Sequence, residues 1–126
     1  CVFRRMEPVL VSMIALRPRW IAINSLFYEG PLDVLIHIRG RDGDVDTPDD
    51  DPDGDFNTFS LTKAREHFAR AGYSLRAEPF YPPIDLPRPA GGRRGTYTMA
   101  TELSPRTQFS GPVHLPWHLL FAERLP

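Results

Sequence analysis

The sequence of 126 residues contains one cysteine and one lysine. A single cysteine, Cys1, cannot form a disulfide within the chain, so nothing points to an oxidising compartment and we expect a cytoplasmic protein. The 15 basic residues are balanced by 16 acidic residues, which gives a net charge of −1. Binding to a nucleic-acid backbone requires clustered positive charge. This balance therefore argues against nucleic acid as a partner.

Long apolar runs are absent as well. A membrane-spanning helix needs roughly 20 apolar residues in succession. The best candidate, residues 9–16, is interrupted by Ser12 and followed by Arg17. The first residues also lack the order of basic, apolar and small residues that defines a signal peptide. We therefore expect no membrane partner. Because the chain begins with cysteine rather than methionine, we expect further sequence before it.

Several motifs of ligand binding and catalysis are missing. No glycine-rich turn joins a strand to a helix, and such turns hold nucleotide-like ligands in α/β proteins. No Gly-x-Ser-x-Gly sequence indicates a hydrolase. His114 and His118 have the four-residue spacing of zinc ligands on a helix, but Pro116 between them is incompatible with that helix. The sequence therefore predicts no metal site.

Apolar residues at three- and four-residue spacing indicate a first helix. They recur at Phe3, Met6, Leu10, Met13 and Leu16. This spacing predicts a helix over residues 7–16 with a proline in its first turn. A second proline, two residues after Leu16, restricts the backbone before it and so ends the helix.

A second helix is predicted over residues 61–71. Its apolar face consists of Leu61, Ala64, Phe68 and Ala71. Ser60 or Thr62 can cap its beginning, and Gly72 follows its end. Glu66 and Arg70 stand four residues apart, which is the spacing of a helical ion pair.

Three further segments have the patterns of strands. Residues 19–24 form a short apolar strand. Residues 75–80 alternate apolar and polar side chains and contain a proline, which predicts a strand at the edge of a sheet. Residues 117–122 are almost wholly apolar, which predicts a strand covered on both faces. A weak polar strand is expected near residues 97–101.

Residues 39–55 are predicted to form an acidic loop insertion. This segment contains eight of the sixteen acidic residues, together with glycine and proline, so it cannot form a packed core. Asp49, Asp51, Asp53 and Gly54 match the opening of a calcium-binding loop, but Ser60 stands where a bidentate glutamate is required. One hypothesis is therefore a non-catalytic α/β module whose loop binds a cation such as calcium, or a basic partner.

Two short motifs resemble one enzyme family. Leu16-Arg17-Pro18 stands between the first helix and the first strand, and Ala71-Gly72-Tyr73 ends the second helix. Both are similar to the C-terminal half of class I, Rossmann-like S-adenosylmethionine-dependent methyltransferases, although the Gly-Gly that usually follows the proline is absent. The resemblance implies that residues 75–80 form an edge strand. It also implies that residues 117–122 lie antiparallel beside residues 19–24.

The expected fold is thus a partial α/β sheet of this family. Residues 1–126 would form a single partial domain, the C-terminal half of a methyltransferase-like fold. The intact family fold binds S-adenosylmethionine through a Gly-x-Gly loop and an acidic residue that have no counterpart here. The resemblance therefore implies a segment that is inactive alone and binds no cofactor by itself. We expect it to pair with a missing N-terminal half or to self-associate.

The expected substrate site follows the first strand. α/β proteins place substrates at the carboxyl edge of the sheet. The predicted substrate-binding residues are Asn24, Ser25, Phe27, Tyr28 and Glu29. Phe80, Tyr81 and Trp117 are candidate aromatic lining residues of the pocket for a small-molecule acceptor, although a place in the core is the favoured interpretation of Trp117. Methyl transfer would be an in-line attack whose rate depends mainly on alignment. A Tyr or Glu at this edge would orient or deprotonate the acceptor. Alternatively, Phe27 and Tyr28 simply cap the core.

Overall fold

The computed structural model describes residues 3–38, 54–90 and 95–126. These ranges form a mixed α/β structure. The elements in chain order are α1 (Glu7–Ala15), β1 (Trp20–Tyr28), β2 (Val34–Ile38), β3 (Gly54–Ser60), α2 (Leu61–Arg70), β4 (Tyr73–Pro79), β5 (Thr96–Met99), β6 (Thr107–Ser110), β7 (Val113–His114) and β8 (Trp117–Arg124).

Five of the described strands form one sheet in the order β2-β3-β1-β8-β4. β8 runs antiparallel to both of its neighbours, β1 and β4, so these two strands point the same way. β3 is parallel to β1 over Phe27↔Phe59 and Tyr28↔Ser60. The carboxyl ends of β1, β3 and β4 therefore lie at one edge of the sheet, together with the beginning of β8. We call this the carboxyl edge.

The pairing of β1 with β8 confirms the predicted antiparallel contact, and β4 lies at the end of the strand order as expected. The predicted end of β1 at Asn24 is wrong, since the strand continues to Tyr28. The continuation has a physical cause in β8, which pairs His118 with Ser25 and Trp117 with Leu26. Cross-strand pairing thus keeps the polar Asn24 and Ser25 inside a strand.

The core lies between the two helices and one face of the sheet. Leu10 of α1 and Phe68 of α2 are buried against Leu120 and Ala122 of β8. The opposite face of β8 is only half-buried. The prediction that both faces are covered is therefore wrong, because both described helices pack on the same side. The Arg76 guanidinium lies 5.2 Å from the ring of Phe121 on the less buried side.

The turn after α1 follows the sequence prediction closely. The helix ends at Ala15 rather than at residue 16, and Pro8 lies in its first turn. Arg17 has a φ of 50°, which is outside the helical region. The proline that follows Arg17 disfavours helical geometry there, so the chain leaves the helix and enters β1. Neither helix is long and apolar enough to cross a membrane, among the residues that are described.

The beginning of α2 is capped by Ser60. Its hydroxyl oxygen accepts a hydrogen bond from the Lys63 amide at 3.1 Å and donates one to the Gly30 carbonyl. The Ser60 amide donates to Asp33 Oδ1 at 3.0 Å. The far end matches the prediction too, since Gly72 follows the helix with a φ of 79°. The Glu66–Arg70 pair is also present, at 3.2 Å. These contacts fix the helix against the turn that follows β1.

Replacing Ser60 by alanine is expected to lower the free energy of unfolding by about 1–2 kcal/mol. The substitution removes the cap and leaves the Gly30 carbonyl without its partner. Thr62→Ala is the matched control, because Thr62 is exposed and the sequence alone left it as an alternative cap. Urea unfolding followed by circular dichroism compares the two. Equal losses would contradict the assignment of Ser60 as the cap.

Several strands were not predicted from the sequence. β2 and β3 pair antiparallel from Val34↔Thr58 to Ile38↔Gly54. The proposed acidic loop therefore ends before residue 54, and its residues 39–53 lie outside the described ranges. The weak strand expected at residues 97–101 corresponds to β5. It belongs to a small sheet in the order β5-β6-β7, whose other two strands were missed.

Candidate functional site

A cavity of about 250 Å³ opens at the carboxyl edge. It lies where the ends of β1 and β4 meet the beginning of β8, and the small sheet closes one side. We call it the carboxyl-edge cavity. Its aromatic lining residues are Phe27, Tyr28, Phe80, Tyr81 and Trp117. Its polar or charged lining residues are Glu29, Gln108, His114 and His118, and Pro79, Leu103, Leu115 and Pro116 complete the wall.

Backbone hydrogen bonds hold the walls of the cavity together. The Phe27 amide donates to the Pro116 carbonyl at 3.0 Å, and the Phe80 amide donates to the Trp117 carbonyl at 2.8 Å. These bonds attach the beginning of β8 to β1 on one side and to the end of β4 on the other. The aromatic side chains around the cavity are therefore positioned by the sheet, and Phe27 is fully buried. Such a rigid support favours a preformed pocket.

The small sheet contributes the remaining wall through Gln108 and His114. The Leu115 amide donates to the Gln108 carbonyl at 2.9 Å, and Gln108 Nε2 donates to the Phe80 carbonyl at 3.4 Å. The His114 ring lies against Phe109, with 5.5 Å between the ring centroids. Burial lowers the pKa of His114 from its ordinary value, because desolvation disfavours the imidazolium. His114 therefore contributes a neutral ring at pH 7.

His118 stands in the middle of the carboxyl edge. In the sheet register it lies opposite Ser25 of β1 and opposite Pro79 of β4. Its Nδ1 is 3.0 Å from the Pro116 carbonyl oxygen. A carbonyl oxygen can only accept, so Nδ1 carries the hydrogen of this bond. In the neutral ring the lone pair is therefore on Nε2, which makes this atom a hydrogen-bond acceptor and a base.

Glu29 is held at the cavity by an arginine of α2. Arg65 donates two hydrogen bonds to the Glu29 carboxylate, at 2.6 and 2.7 Å. These bonds hold the pKa of Glu29 below its ordinary value against the opposing effect of burial, and the charge of Arg65 adds to the lowering, as does that of His118 when its ring is protonated. In turn, the carboxylate raises the pKa of Arg65. The pair therefore presents a carboxylate whose charge is already compensated.

Replacing Arg65 by glutamine is expected to raise the pKa of Glu29 toward the ordinary carboxyl value of about 4.3. The wild-type pair stabilises the folded chain above that pH and loses its contribution as the pH falls through the lower folded-state pKa. The variant should therefore lose less stability on acidification through this range. A carboxyl NMR titration measures the shift. Arg70→Gln, which breaks only the exposed pair with Glu66, should leave the pKa of Glu29 unchanged.

The turn after β1 wraps around the Tyr28 ring. The Leu32 amide donates a hydrogen bond to the Tyr28 hydroxyl oxygen at 2.9 Å. A Cβ placed on Gly30 would lie 2.5 Å from Tyr28 Cε2, so the backbone passes directly against the ring. Gly30 has a φ of 158°. The hydroxyl of Tyr28 accepts from the turn, which leaves its own hydrogen available as a donor.

The structure brings some of the sequence-predicted site residues together and separates others. Phe27, Tyr28 and Glu29 line the carboxyl-edge cavity, as do the candidate aromatic residues Phe80 and Tyr81. Trp117, for which the sequence favoured a core position, lines the cavity too. Asn24 and Ser25 lie further back in β1 and do not contribute to its lining. Substrate binding by all five remains a prediction.

Sequence reasoning missed the role of His118 at the cavity. It considered zinc binding by His118 together with His114, rejected it because of Pro116, and favoured an ordinary polar position for both residues. A signal was nevertheless present in the sequence. If the last strand runs antiparallel beside the first, its opening residues must lie at the carboxyl edge, and His118 is the second residue of that strand.

A second cavity of about 230 Å³ lies between α1 and α2. Its charged side chains are paired with one another. Arg5 lies 2.9 Å from Glu7, and Lys63 lies 2.8 Å from Asp33. His67 is 3.9 Å from the same Glu7. Within the described ranges, no group of three or more His, Cys, Asp or Glu residues is arranged to hold a metal ion. The carboxyl-edge cavity is therefore the better candidate for a ligand site.

Comparisons with protein-family models, with characterised proteins and with solved structures give no match. The functional interpretation therefore depends on the sequence motifs and on the geometry of the carboxyl-edge cavity.

Proposed function

We propose that this chain is the acceptor-binding part of a methyltransferase similar to the class I, S-adenosylmethionine-dependent enzymes. Its carboxyl-edge cavity would bind a small-molecule acceptor. The observation that carries the proposal is the position of His118, a base in the wall of a largely aromatic cavity at the carboxyl edge. Ligands of open α/β sheets bind outside the carboxyl ends of the strands.

The arrangement of the sheet supports this proposal. The resemblance implies an antiparallel strand beside β1 and an edge strand at residues 75–80, and β8 runs antiparallel to β1 and to the edge strand β4. The Leu16-Arg17-Pro18 turn stands directly before β1, and Gly72-Tyr73 stands where α2 leads into β4. β3 lies on the other side of β1 and is an addition that the resemblance did not imply.

In the proposed site, His118 accepts a proton from the acceptor at Nε2. Its Nδ1 bond to the Pro116 carbonyl fixes the ring and its tautomer. Tyr28 can donate a hydrogen bond to the acceptor from its hydroxyl. Glu29, held by Arg65, lies close enough to stabilise the imidazolium that forms when the proton arrives. Aromatic walls keep the acceptor in one orientation, and alignment is a large source of rate in such reactions.

The described residues do not fit S-adenosylmethionine as a complete cofactor site. β3 is the strand that runs directly into a helix, and the residues at that junction are Phe59, Ser60 and Leu61, without a glycine. The amide of the cap residue Ser60 already donates to the protein's own Asp33 carboxylate. We therefore propose that residues outside this sequence bind the methyl donor. In the family's intact fold the cofactor would supply the methyl group that the acceptor receives.

An NMR titration with small acceptors tests the proposal. The panel contains a simple phenol, an aliphatic alcohol, an amine, a thiol and a carboxylate. At least one should shift the amide signals of Glu29, Gln108 and His118, which come from three sides of the cavity. His118→Gln should weaken that binding, whereas His67→Gln, in the cavity between the helices, should not. The proposal fails if no compound shifts the three signals or if all shifts lie around His67.

The alternative hypothesis is a non-catalytic module with a cation-binding acidic loop. Its candidate ligands Asp49, Asp51 and Asp53 lie outside the described residues. Calorimetric titration with calcium distinguishes the two hypotheses. Heat from calcium binding together with an empty acceptor screen would favour the module, whereas acceptor binding without calcium heat favours the methyltransferase segment.

A further inference from the structure

The wall of the carboxyl-edge cavity is suited to a flat apolar ring. Five aromatic side chains line it, and they come from β1, from the end of β4 and from the beginning of β8. Phe27 is fully buried and joins this wall to the core, where its ring centroid lies 6.1 Å from that of Phe59. Aromatic walls favour aromatic ligands through stacked and edge-to-face contacts in addition to apolar burial. The wall therefore selects for an aromatic acceptor over an aliphatic one.

The charges at the cavity argue for a neutral ligand. Among the described lining residues, Glu29 bears the one carboxylate, and both of its oxygens already accept hydrogen bonds from Arg65. No lysine or arginine belongs to the described lining, so a carboxylate or phosphate group on the ligand would meet no permanent positive charge. A cationic ligand would have to compete with Arg65 for Glu29. Burying an unpaired charge is costly, so neither ion is favoured.

The polar groups of the cavity indicate a hydroxyl on that ring. In its neutral form His118 has an acceptor at Nε2, because its Nδ1 hydrogen is directed to the Pro116 carbonyl. A ligand must therefore donate to it. A phenolic hydroxyl donates a hydrogen bond and has a pKa of about 10, whereas an aliphatic alcohol loses its proton far less readily. The basicity of an imidazole is thus better matched to the acidity of a phenol than to that of an aliphatic alcohol.

The volume of the carboxyl-edge cavity limits the number of rings that the ligand can have. A dry cavity of about 150 Å³ accommodates benzene. The carboxyl-edge cavity, at about 250 Å³, has room for a substituted single ring or for two fused rings. Larger aromatic systems would have to extend past the exposed Tyr81 into solvent.

We propose that the carboxyl-edge cavity takes a neutral aromatic hydroxyl compound of one or two rings, with its hydroxyl donating to Nε2 of His118. This inference rests on the proposed function, which it deepens by naming the class of acceptor. Deprotonation breaks the O–H bond and transfers the proton to Nε2, while the electron pair stays on the phenolic oxygen, which becomes the nucleophile.

Calorimetric titration of the chain with four matched probes tests this inference. The probes are 2-naphthol, 2-methoxynaphthalene without the hydroxyl hydrogen, the anion 2-naphthoate, and decahydro-2-naphthol without the aromatic ring. We expect 2-naphthol to bind about tenfold more tightly than its methoxy analogue, since one hydrogen bond distinguishes them. The anion and the saturated alcohol should bind more weakly than 2-naphthol.

A substitution at His118 tests whether a hydrogen bond to Nε2 causes the preference for 2-naphthol over its methoxy analogue. His118→Phe keeps an aromatic ring of similar shape in β8 and removes the Nε2 lone pair. The preference for 2-naphthol over the methoxy compound should fall from about tenfold to about one. His67→Phe, in the cavity between the helices, is the matched control and should leave the preference intact. Amide spectra of both variants verify that the fold is retained.

Three outcomes would overturn the inference. Equal binding of 2-naphthol and 2-methoxynaphthalene by the wild-type chain would exclude recognition of the hydroxyl hydrogen. Tighter binding of 2-naphthoate would show that the cavity prefers an anion. If none of the four probes binds, the aromatic class is excluded, yet an amine or thiol that still shifts the signals of Glu29, Gln108 and His118 would leave the proposed function standing.

Discussion

Replacement of Phe68 by alanine is expected to lower the free energy of unfolding by about 3–5 kcal/mol. Phe68 has no exposed surface, and its ring meets the ring of Tyr73 edge-on with 6.0 Å between the centroids. Alanine would leave a cavity between α2 and the sheet that the surrounding core cannot fill. Urea unfolding followed by circular dichroism measures the loss.

Phe3→Ala provides the matched control for this measurement. Phe3 is the same residue type, but 52% of its surface is exposed. Its substitution should change the free energy of unfolding by less than about 1 kcal/mol. Similar losses for the two variants would contradict the packing of α2 on the sheet. The result matters for the site as well, because α2 supplies the Arg65 that holds Glu29.

Gly30→Ala should disrupt the carboxyl-edge cavity directly. The added Cβ would lie 2.5 Å from Cε2 and 3.0 Å from Cζ of Tyr28, so the ring or the turn must move. The backbone conformation of Gly30, with a φ of 158°, adds strain for any other residue. We expect a loss of about 1–3 kcal/mol in stability and at least a fivefold loss in affinity for 2-naphthol. Calorimetry with this probe and urea unfolding measure both effects.

Gly72→Ala separates the effect on the cavity from backbone strain. Gly72 also has a positive φ, 79°, but a Cβ there would meet nothing within 4 Å. It precedes β4, at the opposite end of that strand from the cavity. We expect a comparable loss of stability, about 1–2 kcal/mol, with unchanged affinity for the probe. If both variants lost affinity equally, contact with Tyr28 would not be the cause.

The helices could be predicted from the sequence because their signals are local. Helix α2 depends on apolar spacing, on Ser60 as cap and on Gly72 at its end, and all of these lie within thirteen residues of one another. Helix α1 depends in the same way on its spacing and on the proline after Arg17. Capping, spacing and the steric effect of proline each act over one or two turns. Such signals do not require knowledge of the rest of the fold.

β3 escaped prediction because pairing, not composition, makes it a strand, whereas the apolar and β-branched sequence of β2 carried a strand signal that the sequence analysis overlooked. β3 contains Asn57, Thr58 and Ser60, which are polar and yet buried. Asn57 is satisfied by a hydrogen bond from its side chain to the Phe3 carbonyl at 2.7 Å, between residues that are 54 positions apart. From the sequence alone, a polar residue indicates a loop unless its hydrogen-bond partner in the folded chain is known. The partner is visible only in the folded chain.

The candidate site was predicted in part. The aromatic residues Phe80 and Tyr81 were candidates for the acceptor pocket, and they line the carboxyl-edge cavity. Trp117 lines it as well, although the sequence favoured a place in the core for this residue. These candidates came from the family resemblance. Gln108 and His114 could not be anticipated, because the small sheet that carries them was not recognised.

By itself, the sequence determined the two helices, the apolar strands around Ile21 and Leu120, and the mixed α/β class, since short-range periodicity and capping encode all of them. Tertiary structure decided how far β1 extends and that β2 pairs with β3. It also placed His118, Tyr28 and Glu29 in the lining of one cavity. The physical reason is that hydrogen bonds between strands join residues distant in the chain. Their register is set by the complete fold and not by local preference.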